Sequence, residues 1–306
     1  MAPRTPRRRR KPRRVARLRK LGRAIDDVAA ACPPVAVRLL MRSFIYPQRA
    51  AADERGAEVL ARAEPGELPF GRVGLRTYRW SPARAAGDGP TVALFHDYER
   101  EAGYFADYVA PLLDKGCTVL ALDAPASGAS GGKRLSLREY VNAVHRLNAR
   151  TGPWHTALGH GMGASALLQA AAQMLPAERP ARIVTLAANA DSGEAFASRL
   201  AALGVGEAVR RRFWRKLGKL REVPLAPYDN TRAAARLGDV RGLVLHDRAD
   251  ARTPLADAEA VAAAWPGARL EQLEGFGHDL RGTAVLRRVV PFLGARTALR
   301  ELRPAA

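Results

Sequence analysis

Five short apolar runs, set between helix-like stretches, restrict the possible folds of this chain more than any other feature. They are "TVALFH" (91–96), "CTVLALD" (117–123), "HTALGH" (155–160), "RIVTLAAN" (182–189) and "GLVLHD" (242–247). None alternates apolar with polar residues, as a strand with one wet face would. Each therefore reads as a strand buried on both faces. Around them lie "AGYFADYVAPLLDKG", "SLREYVNAVHRLNAR", "ASALLQAAAQML" and "ADAEAVAAAW", all with helical character. Regular strand–helix alternation predicts an α/β fold with a mostly parallel, doubly wound sheet. A hairpin, "LPFGRVGLRTYRW" (68–80), precedes this series, and a last strand, "ARLEQLEG", follows it.

One interval breaks the rhythm. About 50 residues separate the strand at 182–189 from the strand at 242–247. An insertion at a strand's carboxyl end in such a sheet predicts a small helical cap over the ligand crevice, at about 192–236 after the sixth strand. Within it, "VRRRFWRKLGKLR" (209–221) carries seven basic residues around an apolar stripe of Phe213, Trp214, Leu217 and Leu220. That spacing suits an amphipathic helix with its charges in water.

Charge separates the remaining parts. The net charge is +20, and residues 1–23 hold 12 of the 50 Lys/Arg with no acid. Self-repulsion and the lack of an apolar core predict an extended, disordered basic tail there. Its charge admits three roles: a solvated arm, a tether to nucleic acid or an anionic membrane surface, and a targeting segment. The following "AIDDVAAACPPVAVRLLMRSF" is interrupted by Asp26, Asp27, Pro33, Pro34 and Arg38, so it suits neither a secretory signal nor a transmembrane span. The expected location is cytoplasmic, with peripheral membrane association as the variant. Residues 24–66 read as a helical lead-in, 67–295 as the sheet domain and 296–306 as a C-terminal tail. Cys32 and Cys117 have no metal-ligand spacing and do not suggest a disulfide scaffold.

The stretch "TALGHGMGASALLQAAA" (156–172) sets G-x-G-x-G where a strand turns sharply into a helix. Polar residues gather at the other strand ends: His96-Asp97-Tyr98, Ser127 and Ser130 after the 117–123 run, His246 to Asp250, and Gly277-His278. In this order they resemble the α/β-hydrolase superfamily, in which a nucleophile elbow is followed by an acid loop and then a histidine loop. The similar stretches are "LALDAPASGASGG", "HDRADARTP" with Asp250 four residues before Pro254, and "LEGFGHD".

The resemblance implies Asp250 as the acid and His278 as the base, with Asp191 as a minor candidate acid. It implies backbone amides of Tyr98 and Met162 as oxyanion-hole donors, and His96, Asp97, His160 and Ser127 around a small-molecule pocket. Two positions depart from the family. Gly161 stands where the nucleophilic serine belongs; glycine keeps the positive-φ turn but deletes the hydroxyl. Asp97 stands where the family has glycine, and brings a carboxylate toward the place where negative charge develops. The expectation is an inactive or weak hydrolase homologue that keeps an Asp250–His278 pair and a capped pocket. The alternative is an active hydrolase of small carboxylic esters, thioesters or amides, using a water or a displaced serine such as Ser127, Ser130 or Ser165. No phosphate-cradling motif and no metal-ligand spacing is present, so no cofactor or metal is expected.

Overall fold

Pairing of the buried apolar runs builds one eight-stranded sheet. The computed structural model describes residues 11–83, 89–217 and 228–294. The strands are β1 (Glu64–Phe70), β2 (Val73–Trp80), β3 (Thr91–Phe95), β4 (Thr118–Leu122), β5 (Thr156–His160), β6 (Arg182–Leu186), β7 (Arg241–Asp247) and β8 (Ala268–Leu273). Their spatial order is β1-β2-β4-β3-β5-β6-β7-β8. Strands β3 to β8 run parallel, whereas β2 is antiparallel to both β1 and β4. The order reverses at β3, which lies between β4 and β5. The loops leaving β3 and β5 therefore emerge side by side at the carboxyl edge, where ligands gather in such sheets.

The helices are α1 (Lys11–Ala31), α2 (Pro33–Ile45), α3 (Glu54–Ala61), α4 (Ala106–Asp114), α5 (Leu137–Thr151), α6 (Met162–Gln173), α7 (Ser192–Leu203), α8 (Glu207–Leu217), α9 (Asn230–Ala235), α10 (Leu255–Ala264) and α11 (Thr283–Leu293). The unbroken apolar runs follow from cover on both faces. Ala93 and Phe95 point into a core shared with α5, α6, α9 and α10, while Val92 and Leu94 point into one shared with α4 and α11. Helix α11 has no counterpart in the sequence reading. The start of β1 was also hidden, because Pro65-Gly66 reads as a helix stop. An edge strand tolerates proline, and β1 is an edge.

A third core joins the N-terminal helices to the insertion. Ile25 of α1, Leu40 and Phe44 of α2, Leu203 of α7 and Phe213 and Leu217 of α8 pack together and are buried. This corrects the expectation of an extended tail as far as residue 23, since residues 11–23 are the first half of α1. The physical reason is an apolar seam that the charge count conceals. Leu18, Gly22 and Ile25 lie on one helical face, and α1 comes so close to α7 that a Cβ on Gly22 would sit 2.0 Å from the Leu203 carbonyl oxygen. Helix α9, inside the expected cap, instead packs against α6 and α10 of the sheet domain. Residues 1–10 of the tail, Leu220 with residues 218–227 of the insertion, and the 296–306 tail lie outside the described residues. No described helix is long and apolar enough to cross a membrane.

Candidate active site

The elbow is built as its glycines foretell. Strand β5 ends at His160, and Gly161, with φ 53° and ψ −116°, forms the N-cap of α6. An L-residue at that φ is strained, whereas glycine is not. The space above the turn is already taken. A Cβ on Gly161 would lie 2.1 Å from Oδ1 and 2.4 Å from Cγ of Asp97. The Asp97 carboxylate thus fills the volume where a side chain at 161 would begin, because the β3 and β5 loops are neighbours.

That carboxylate has three partners. The Met162 amide donates to Oδ1 at 2.9 Å. On Oδ2, Nε2 of His278 stands at 3.3 Å and a guanidinium nitrogen of Arg252 at 3.1 Å. The Asp97 side chain is 4% exposed. Burial opposes its ionisation, but the positive charges of Arg252 and His278 prevail and hold its carboxyl well below the usual range.

The Asp250–His278 pair forms as the resemblance implies, with Nδ1 of His278 2.8 Å from Oδ2 of Asp250. Asp250 also folds its own loop, since Oδ1 accepts the amides of Arg252 at 2.7 Å and Thr253 at 3.3 Å. Burial pushes its carboxyl up, while the hydrogen bond and charge of His278 bring it below its ordinary value. His278 therefore sits between two carboxylates, one on each ring nitrogen. An ionised carboxylate only accepts hydrogen bonds, so a carboxylate on each nitrogen favours the ring with both nitrogens protonated, the imidazolium. Burial alone would lower its pKa, but the bonds to Asp250 and Asp97 outweigh that and raise it. Two anions, Asp97 and Asp250, balance two cations, His278 and Arg252.

Other expected site residues are framework. His96 is fully buried; Nδ1–H donates to the Asp97 carbonyl at 2.8 Å and Nε2 accepts from the Ala124 amide at 2.9 Å. His160, also fully buried, stacks on Tyr104 with ring centroids 4.7 Å apart and donates from Nε2 to the His278 carbonyl at 2.9 Å. Burial takes its pKa down to about 4, so the ring is neutral. Tyr98 packs its ring beneath the Arg199 guanidinium, 5.3 Å away. Asp191 accepts the Gly193 amide at 2.6 Å; it is Asp250 that partners His278. Of the candidate serines, Ser165 donates to Asn189 and Ser130 to the Asp123 carbonyl, while the buried Ser127 hydroxyl has no hydrogen-bond partner. Among the described residues no hydroxyl bonds to His278.

One participant, Arg252, was missed, and Asp247 was marked only as flanking the acid loop. Arg252 reaches Asp97 across the sheet end. Asp247 accepts the amides of Ala249 at 2.8 Å and Phe276 at 2.6 Å, tying β7 to the histidine loop. The signal for both was "HDRADARTP" itself, which holds more charge than a turn requires.

The fold also creates a group that linear spacing concealed. One ligand atom each from Asp97, His160 and His278 lies within 4.8 Å of the others, which corrects the expectation of no metal-ligand cluster. The fit to a divalent ion is poor, because Arg252, His278 and the Met162 amide already occupy the Asp97 carboxylate.

No family model matches this chain, and no curated protein does. Solved structures do. The Pyrococcus furiosus esterase Pf2001 matches with a TM-score of 0.60 at 16% identity, covering 82% of this chain and 97% of that one. The 2,6-dihydroxy-pseudo-oxynicotine hydrolase matches at 0.56 and 18%, covering 93% and 91%. A thioesterase domain from the curacin biosynthetic pathway matches at 0.55 and 13%, covering 76% and 98%. At such identities the likeness is one of architecture, and this chain has the α/β-hydrolase fold.

Proposed function

We propose that this α/β-hydrolase-fold protein is not a serine-type hydrolase and acts by binding rather than by turnover. The observation that carries this is the Asp97 carboxylate seated on Gly161, where the nucleophile's side chain would stand. Three consequences follow from its position. The hydroxyl is absent, so no acyl-enzyme forms by the serine route. The Met162 amide, one of the two expected oxyanion donors, is engaged by a resident anion and is not free for a developing one. The histidine that would remove a proton already holds one, between two carboxylates. Residual turnover through a water would still have to work against the last two.

The test compares phosphonate labelling and ester turnover of the unaltered protein with two variants, Gly161→Ser and Asp97→Gly/Gly161→Ser. The second variant restores the His-Gly pair and the serine together. The expected result is no labelling of the unaltered chain and labelling at position 161 only in the double variant. Robust turnover by the unaltered chain, abolished by His278→Ala, would overturn the proposal in favour of hydrolysis of small esters, thioesters or amides.

A further inference from the structure

The outer face of α2 has a composition that the sheet domain does not explain. Its inner face buries Ala36, Val37, Leu40, Met41 and Phe44 against the cap. The opposite face presents Val35, Arg38, Leu39 and Arg42, at i, i+3, i+4 and i+7, and then Tyr46 just past the helix end. Val35, Leu39 and Tyr46 are 45%, 42% and 40% exposed, among the few large apolar side chains on the described surface that are. The Arg42 guanidinium lies over the Tyr46 ring at 5.2 Å. No acid occurs anywhere in α2.

The surroundings are cationic as well. Helix α2 packs against α1 and α8. On α1, Arg19, Lys20 and Arg23 lie exposed. On α8 the acid Glu207 pairs with Arg210 and Arg211, and Arg212, Arg215 and Lys216 lie exposed beyond it. Of the two acids of α1, Asp26 accepts the Gly206 amide at 2.9 and 3.0 Å and so fastens α1 to the cap, and Asp27 is exposed.

We infer that this α2 face, with its own cations Arg38 and Arg42 set among Val35, Leu39 and Tyr46, is a docking surface for an anionic membrane. Charge complementarity selects an anionic partner. The apolar side chains select which one. Val35, Leu39 and Tyr46 gain nothing against a row of phosphates in water, but they fit the boundary between headgroups and acyl chains, where a helix lies in the plane with its apolar residues inserted. The helix lies on the surface rather than spanning it, consistent with its 13 residues. This inference uses none of the residues around Gly161 and stands or falls apart from the chemistry there.

The experiment measures binding of the full chain to phosphatidylcholine vesicles with and without phosphatidylglycerol, and to duplex DNA, over a salt series. Binding is expected only with phosphatidylglycerol, and to weaken with salt. Arg38→Ala/Arg42→Ala should lower the affinity about thirtyfold, taking about 1 kcal/mol for each cation near the surface. Val35→Ser/Leu39→Ser should lower it severalfold with charge unchanged; all four positions are exposed, and unchanged thermal unfolding verifies the fold. Absence of binding to the anionic vesicles would overturn the inference. So would DNA binding of equal strength, with neither vesicles nor DNA sensitive to Val35→Ser/Leu39→Ser.

Discussion

Charge is dense both at the end of the sheet and on the N-terminal and cap helices, but the two regions handle it oppositely. Beside Gly161, two buried carboxylates meet an imidazolium and a guanidinium at 2.8 to 3.3 Å. On α2 and α8, arginines face water with few acids near them. A buried pair is costly to assemble, but breaking it costs more, because the remaining ion cannot recover its water. An exposed charge contributes little to stability and is screened within about 10 Å by ordinary salt. In this chain the buried charges hold the fold, and the exposed ones remain available for a partner.

The sharpest way to break that contrast is to remove the central anion. Asp97→Ala leaves His278 and Arg252 without their shared acceptor and should cost about 3–5 kcal/mol, read by denaturant unfolding. In a chain of this size that corresponds to about 5–8 °C in Tm. Asp97→Asn keeps the shape and the Met162 contact, so it should cost less. A loss under about 1 kcal/mol from Asp97→Ala would mean that the site cluster is no more structural than the surface arginines.

Next in size is Gly161→Ser, which combines strain at positive φ, about 1–3 kcal/mol, with displacement of Asp97. The displacement part should vanish once Asp97 is glycine. A double-mutant cycle over positions 97 and 161 should therefore give a coupling of about 0.5–3 kcal/mol. Additive effects would mean that the two residues do not contend for one space.

How much of this was legible in the sequence depended on the range of the interaction. The sheet strands could be read because burial on both faces writes itself into each strand locally, as in "TVALFH". Asp250 and His278 were found by their order along the chain, and the structure puts them 2.8 Å apart. Asp97 was marked as an anion in the wrong place, but its seat on Gly161 depends on β3 lying beside β5, which no local pattern encodes. The same holds for Arg252 and for the Asp97–His160–His278 group. Helix α1 was misread for a different reason. Its charges are visible at once, whereas its three-residue apolar seam has meaning only against α7.

Titration distinguishes the site's cations from its neutral rings. The raised pKa of His278 means that the folded state binds its proton more tightly than the unfolded chain does. Its contribution is fully present below the unfolded value of about 6.5 and is lost as pH rises through the folded one. His160, lowered to about 4, acts oppositely: protonation favours the unfolded chain, and stability falls as pH drops from about 6.5 toward 4. The lowered Asp97 and Asp250 extend the acid-side loss to still lower pH. Stability measured against pH should therefore peak near neutrality, and His278→Gln should remove the alkaline decline while leaving the acid limb. An unchanged alkaline limb would show that the ring is not held as an imidazolium. Zinc should leave Tm unchanged, since the carboxylate it needs is already bridged to Arg252; a saturable rise lost in His160→Ala would show a vacancy that the charge balance denies.

The smallest effect belongs to the other side of the comparison. Arg38→Glu/Arg42→Glu reverses two charges on α2, yet neither carries an ion pair among the described residues, and the face is exposed. Its effect on unfolding free energy should stay within about 0.5 kcal/mol per site. Unfolding at low and high salt decides the matter. If the double reversal destabilises by several kcal/mol regardless of salt, the α2 arginines belong to the fold as Arg252 does, and the division between structural and available charge disappears.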